Sequence, residues 1–348
     1  EIIHEEGQLK SYIREAVSVS ENQPILIDKF LQNAIEVDVD CVCDGKEVLI
    51  GGIMEHIEEA GIHSGDSSCV VPPQTLSSQV IEKIKEYTRK LAIEMGVIGL
   101  MNMQYAVKDD VVYVLEANPR SSRTVPFISK ATNIPIAKLT AKTLIGKTLK
   151  ELGYTEEMPK HVSVKSVVFP FNKIPGSDSR LGPEMKSTGE SMGIADNFAE
   201  AFYKAQLGAG IQLPDSGRVF FAVRDQDKDQ ISDIARSFKE LGFAIAAVGR
   251  TSKILRVDGV KNRKILKCSQ GYPNIVDMIN NEGIQLVINT PTRGEVASKD
   301  GYKIRRACIS KKVPCITTLA GAKVALEAIK RNRENTFGIK SLKEYYAE

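Results

Sequence analysis

Apolar and polar positions alternate with a period of two through Ile35, Val37, Val39 and Cys41, with Glu36, Asp38 and Asp40 between them. This predicts a strand from Ala34 to Val42 with one buried face. Asp44-Gly45 carries the signal of a tight hairpin turn, and Glu47 to Met54 reads as the return strand. A second hairpin is expected where Leu100 to Val107 meets Val111 to Arg120 through Lys108-Asp109-Asp110. Between the hairpins, Val80, Ile84, Tyr87, Leu91 and Ala92 recur at helical spacing, predicting a helix over Gln74 to Met95. The same reasoning predicts strands at Ile25–Phe30 and Val162–Phe169 and helices at Pro126–Ala131, Ile136–Leu144 and Asn197–Leu207. The polar, glycine-punctuated run from Glu58 to Ser67 reads as irregular, as does the glycine- and proline-rich stretch through Gly193. Gly208 to Gly217 is the best linker candidate.

Beyond the linker the pattern changes. Short apolar runs at Val219–Val223, Ala244–Val248, Lys264–Lys267, Leu286–Asn289 and Pro314–Thr317 are interleaved with helical segments. Those helices are expected near Lys228–Leu241, Thr251–Arg256, Ile275–Asn281, Lys303–Lys311 and Leu319–Arg331. Strands alternating with helices predict a doubly wound parallel sheet with ligands at the carboxyl ends of its strands. The fold class is therefore α/β and α+β: an antiparallel sheet with helices, then a parallel sheet. The expected domains are residues 1–212 and 213–348.

Composition narrows the function. With 42% apolar and 26% charged residues over 348 positions, the chain is ordinary globular protein. No apolar run approaches the roughly 20 residues needed to span a bilayer, so neither a membrane role nor secretion is expected. The six cysteines form no CxxC pair and lack histidines at ligand spacing, which disfavours zinc. They read as thiols of a reducing cytoplasm, Cys41 and Cys43 as buried ones. Splitting after Leu213 gives a net charge of −7 before and +10 after. Without basic tracts interleaved with aromatics, the basic part fits a small anionic ligand rather than a nucleic acid.

The chemistry is concentrated at the end of the second hairpin. Glu116 and Asn118 project from one side of their strand, and pairing brings Gln104 toward them. Three such oxygens beside Arg120 suit a hard divalent cation bridging nucleotide phosphates. The alternative is a solvated hairpin end whose Asn118-Pro119 starts a turn.

Several stretches resemble the large subunit of carbamoyl-phosphate synthase, in its C-terminal half. They are Val37–Asp40 with Gly51–Glu58, Gly61–Ser67, Glu116–Phe127 and Leu181–Gly193. The resemblance implies a partial ATP-grasp domain followed by a methylglyoxal-synthase-like allosteric domain. The implied reaction is ATP-dependent phosphorylation of carbamate to carbamoyl phosphate, in glutamine-dependent synthesis serving pyrimidine and arginine pathways. It further implies magnesium or manganese at Gln104, Glu116 and Asn118, and phosphoryl-stabilising roles for Arg120 and Arg123. ATP contacts fall on Lys29, Leu31, Glu36, Gly61, Ile62, His63, Ser64, Gln104 and Glu116. His63 has a structural alternative as a loop residue, and Arg123 one as a salt bridge. Potassium near Glu36, His56, Glu59 and Ser64 is implied as well.

Effector contacts, to a nucleotide such as UMP, fall on Lys228, Thr251, Lys267, Asn289 and Thr290. For Thr251, helix capping is the competing reading. Pro291-Thr292-Arg293 differs from the Thr-Thr-Ser sequence expected of a UMP-inhibited relative, which leaves the effector's identity open. Methylglyoxal synthase aspartates are not recognisable. An ornithine response is left open, because Glu58, Glu59 and Asp66 are present while Ser166 stands at a further acidic position. Implied partners are the small glutaminase subunit and the N-terminal half of the large subunit. The chain opens at Glu1, past the family's glycine-rich loop, so alone it is expected to be inactive. A nucleotide-binding regulatory module with a non-catalytic ATP-grasp remnant is the alternative function.

Overall fold

A computed structural model describes residues 3, 6–19, 25, 27–171, 173, 174, 179, 181, 182, 184–291, 295–334 and 337–347. In the first part, α1 (Glu6–Val19) precedes β1 (Ile35–Asp44), β2 (Val48–His56), β3 (Cys69–Val71) and α2 (Ser78–Glu94). Then come β4 (Ile98–Lys108), β5 (Val111–Asn118), α3 (Val125–Thr132), α4 (Ile136–Leu144), α5 (Leu149–Leu152), β6 (Val162–Val168), β7 (Gly189–Ala195) and α6 (Phe198–Gly208). The strands form one seven-stranded sheet in the order β5-β4-β1-β2-β3-β6-β7, with every neighbouring pair antiparallel.

The two faces of this sheet differ, and the difference places the site. One face, bearing Val37, Val39, Cys41, Met101, Met103 and Tyr105, is apolar along its length and packs under Val80, Ile84 and Ala92 of α2. The other face is apolar at the Val42 and Leu100 end, where Phe127, Ile128, Ile136 and Leu139 of α3 and α4 cover it. Gly51 and Gly52 allow that approach. A Cβ on Gly52 would meet Ile128 Cδ1 at 2.8 Å, and one on Gly51 would meet Ile136 Cδ1 at 2.4 Å. Toward the opposite end the same face turns polar, through Glu36, Asp38, Asp40, Asn102 and Gln104.

The second part contains β8 (Arg218–Ala222), α7 (Lys228–Glu240), β9 (Ala244–Val248), α8 (Gly249–Val257), β10 (Arg263–Ile265) and α9 (Ile275–Asn280). It continues with β11 (Leu286–Asn289), α10 (Glu295–Lys311), β12 (Cys315–Ile316), α11 (Leu319–Arg333) and α12 (Leu342–Ala347). Its sheet has the order β10-β9-β8-β11-β12, all parallel, as the alternating pattern predicted. The two parts share one apolar cluster, in which Ile57, Val164 and Phe202 meet Val219, Phe238 and Ala325. A Cβ on Gly193 would lie 2.0 Å from Ala201 O, so α6 packs onto β7 backbone to backbone.

Some expectations fail. No strand forms at Ile25–Phe30: its described residues are irregular and Ile27 is 60% exposed, because that segment lines up on no sheet edge, and Leu26 lies outside the described residues. The stretch read as irregular through Gly193 contains β7, which pairs with β6. Helix α8 begins at Gly249 rather than Thr251, with Val248 at its cap, so Thr251 does not cap it. Thr292 and Arg293 lie outside the described residues.

Candidate nucleotide and effector sites

Gln104 stands opposite Glu116 across the β4–β5 ladder, and Asn102 stands opposite Asn118. Directly opposed residues share a face, so Gln104, Glu116 and Asn118 emerge together on the polar half-face. The Gln104 amide nitrogen donates to Ser64 Oγ at 3.3 Å, which leaves its oxygen for another partner. The donor set of two amide oxygens and one carboxylate suits magnesium, and on this geometry the three residues fit the implied metal.

Asp40 organises the loop after β5, a role that the sequence does not reveal. It is fully buried and accepts hydrogen bonds from Asn102 Nδ2 at 2.9 Å, Ser122 Oγ at 2.7 Å and Thr124 Oγ1 at 2.6 Å. Burial raises its pKa against those three donors. The tether fixes residues 118–124 and leaves Arg120 and Arg123 exposed beside the site. Arg123 Nη1 points at Met185 Sδ, 2.7 Å away, and Arg120 Nη1 donates to Ser121 O at 3.3 Å. Among the described residues neither guanidinium is in an ion pair.

The segment from Gly61 to Ser67 lies over the other side of the polar face. Gly61 N–H donates to Glu36 Oε1 at 2.8 Å, and Lys165, itself buried, donates from Nζ to Ser64 O at 3.0 Å. Asp66 anchors the segment from below by accepting from the backbone of Lys186 and Ser187. His63 Nδ1 accepts from Gly65 N–H at 3.0 Å, so only Nε2 of its ring remains for a ligand. Ile62 is half-buried beside it, Leu31 is half-buried before β1, and Lys29 is exposed.

His56 lies beneath, its ring nitrogens 3.5 Å from Glu36 Oε2 and 3.4 Å from Asp38 Oδ2. Burial pulls its pKa down, but the Asp38 and Glu36 carboxylates outweigh that and push it up to about 9. Glu36 thus faces the His56 ring and Glu59 pairs with Arg224 at 2.5 Å, among the residues around which potassium was expected.

The three acidic groups considered for ornithine are likewise engaged. Glu58 accepts from Thr317 Oγ1 at 2.5 Å, Glu59 pairs with Arg224, and Asp66 holds the two amides just named. Ser166 accepts from Gln206 Nε2 at 3.1 Å.

In the parallel sheet a cavity of about 620 Å³ opens at the carboxyl ends of β8, β9 and β11. Lys228, Thr251, Lys267 and Asn289 all line it, four of the five residues expected there. The fifth, Thr290, is buried, and its hydroxyl accepts from Arg224 N–H at 2.9 Å. Thr251 Oγ1 ties instead to the Val223 backbone. Gly249, at φ +43°, turns β9 into α8 where Lys267 comes within 3.3 Å of an added Cβ. Lys228 and Arg250 both pair with Asp225 on the rim. The cavity sits where the strand order reverses, between β8 and β11, the position at which doubly wound sheets hold ligands.

A polar half-face with metal-compatible donors, joined to a doubly wound sheet with a basic pocket, points to a nucleotide-binding protein with an added ligand-binding type of α/β domain. The comparisons agree: residues 1–152 match the carbamoyl-phosphate synthase L chain ATP-binding domain, and residues 230–317 match the MGS-like domain. The chain belongs to the carbamoyl phosphate synthase large chain family.

The Methanosarcina barkeri large chain is 51% identical over 352 residues, covering 100% of this chain and 88% of the relative. That of Methanothermobacter thermautotrophicus is 55% identical over 350 residues, covering 99% of this chain and 33% of the relative. The C-terminal section from Methanocaldococcus jannaschii is 51% identical, covering 99% and 57%. The chain thus spans about a third of the length of several curated relatives. Among solved structures, the MgADP-bound biotin carboxylase domain of Hydrogenobacter thermophilus 2-oxoglutarate carboxylase is similar at TM-score 0.47 and 16% identity, over 58% of this chain and 50% of that one. Among the described residues, no helix is long and apolar enough to cross a membrane.

Proposed function

We propose that this chain forms the carbamate-phosphorylating and regulatory portion of a glutamine-dependent carbamoyl-phosphate synthase, working with a small glutaminase subunit and the bicarbonate-activating half of the large chain. Its product feeds pyrimidine and arginine synthesis in the cytoplasm. The observation that carries this reading is the shared face of Gln104, Glu116 and Asn118 beside two exposed arginines.

Phosphoryl transfer depends on positioning and on neutralising charge rather than on covalent help from the protein. Gln104, Glu116 and Asn118 would hold magnesium or manganese, which would supply neutralisation of the phosphates' negative charge. Arg120 and Arg123, tethered through Asp40, stabilise the transferring group and the carbamate oxygens. Lys29, Leu31 and Glu36 address the adenosine, and Gly61 to Ser64 close over it, with His63 Nε2 free to donate. The basic cavity takes an anionic effector such as UMP through Lys228, Thr251, Lys267 and Asn289, with Thr290 supporting it from behind.

The test is the reverse reaction, ATP formation from ADP and carbamoyl phosphate, in the assembled synthase carrying this segment. Arg123→Ala is expected to lower the rate by about 10²–10³-fold. An unchanged rate rejects the assignment.

A further inference from the structure

Arg224 belongs to both halves of the molecule. It lines the effector cavity, its backbone N–H is held by Thr290 at the end of β11, and its guanidinium reaches out of the parallel-sheet domain. There Nη1 pairs with Glu59 Oε1 at 2.5 Å, and Nε lies 2.9 Å from Asp227 Oδ2. Glu59 is two residues before Gly61, whose N–H is bound to Glu36, and five before Ser64, which holds Gln104. A second contact runs beside the first: the side-chain amide of Gln226, also lining the cavity, lies 2.9 Å from those of Gln32 and Asn33, just ahead of β1, and flanks the Arg224 guanidinium.

We propose that Arg224 and Glu59 form the switch between the two sites, in which an anion entering the cavity competes with the Glu59 carboxylate for one guanidinium. This rests on the reading of the cavity as an effector pocket. With the cavity empty, Arg224 is spent on Glu59 and holds the 59–64 segment against Glu36 and Gln104. An anionic ligand draws the guanidinium inward, Glu59 loses its counter-ion, and the segment that covers the nucleotide is released. Each ligand therefore weakens the other by the same factor. Lys228 and Arg250 are paired with Asp225 within the cavity rim, and Lys267 has no described partner across the domain boundary, which leaves Arg224, among the described cations lining the cavity, as the one whose pairing spans it. Arg224 is thus a positioning residue: it touches no reacting atom.

Glu59→Gln removes the competitor without altering the cavity. Calorimetric titration of UMP and of Mg-ADP into the full chain, each alone and with the other saturating, reads the coupling directly. Wild type is expected to bind Mg-ADP about tenfold more weakly with UMP present. Glu59→Gln should bind UMP about tenfold more tightly than wild type, bind Mg-ADP at the weakened level whether or not UMP is present, and show no coupling. Arg224→Gln, at the other end of the pair, should abolish coupling independently, and Arg224→Lys should restore part of it, which a merely structural role would not do. Full coupling in Glu59→Gln overturns the switch. UMP binding to wild type with no effect on Mg-ADP overturns the switch while sparing the pocket assignment. Failure of UMP to bind wild type overturns that assignment, and the switch falls with it.

Discussion

Gln104 commits its amide nitrogen to Ser64 while facing Glu116 across the ladder, so one side chain joins the covering loop to the metal-compatible edge. The loop and the β5 edge thereby share one amide among the contacts that position them. Replacing Glu116, which is exposed and has no described partner, tests that edge without risk to the core. Glu116→Gln is expected to leave the melting temperature unchanged and to weaken Mg-ADP binding at least tenfold, with little effect on metal-free ADP. A magnesium-dependent gain in ADP affinity as large in Glu116→Gln as in wild type would show that the cation binds elsewhere.

Asp40 supports the site from inside. Asp40→Ala strands Asn102, Ser122 and Thr124 in a buried pocket, a loss of about 3 kcal/mol in urea unfolding. Asp40→Asn keeps two polar atoms there and should cost about 1 kcal/mol. A stability difference below the error of the fit in Asp40→Ala would mean that the three donors find other partners.

The contrast between Asp40 and Val39 shows what the sequence carries and what it does not. Alternation identified β1 and its buried face because the period of two is a local property. Hairpin signals such as Asp44-Gly45 and the helical spacing of α2 are local in the same sense, and those elements form as expected. Asp40 reads as a solvated strand position, yet it is buried, because a loop some eighty residues on folds over it. Strand β3 is too short to announce itself, and β7, with Gly189, Ser191 and Gly193, has little strand propensity of its own. It is a strand because β6 offers an edge. The metal-compatible set was legible, since two of its members alternate on one strand. The Arg224–Glu59 pair was not, because nothing in either neighbourhood encodes a partner so distant in the chain.

Gly193 tests the packing between sheet and α6. Any side chain there meets the backbone of Ala201 and Ala205, which cannot yield as a side chain would. Gly193→Ala should therefore destabilise by about 3 kcal/mol, seen in urea unfolding, or leave the protein insoluble. Gly210→Ala provides the control of equal chemistry: nothing lies within 4 Å of its Cβ position, and only its φ of +80° is strained. A loss in Gly193→Ala no larger than in this control would refute backbone-to-backbone packing.

His56 makes stability depend on pH in a defined direction. Its folded pKa, about 9, lies above the ordinary 6.5, so its pairing with Asp38 and Glu36 favours the folded state whenever the ring is protonated in both states. The contribution is complete below pH 6.5, declines as pH rises, and is gone once pH passes about 9. Its ceiling is about 3 kcal/mol, and the ring-to-carboxylate separations of 3.4 and 3.5 Å keep it below the strongest buried pairs. Urea unfolding of wild type and His56→Gln across this range isolates the effect, since other groups titrate alike in both proteins. The gap between the two curves should narrow steadily toward alkaline pH. A gap that stays constant from neutral to alkaline conditions would mean that His56 is neutral at neutral pH, and that its role beneath Glu36 is one of packing.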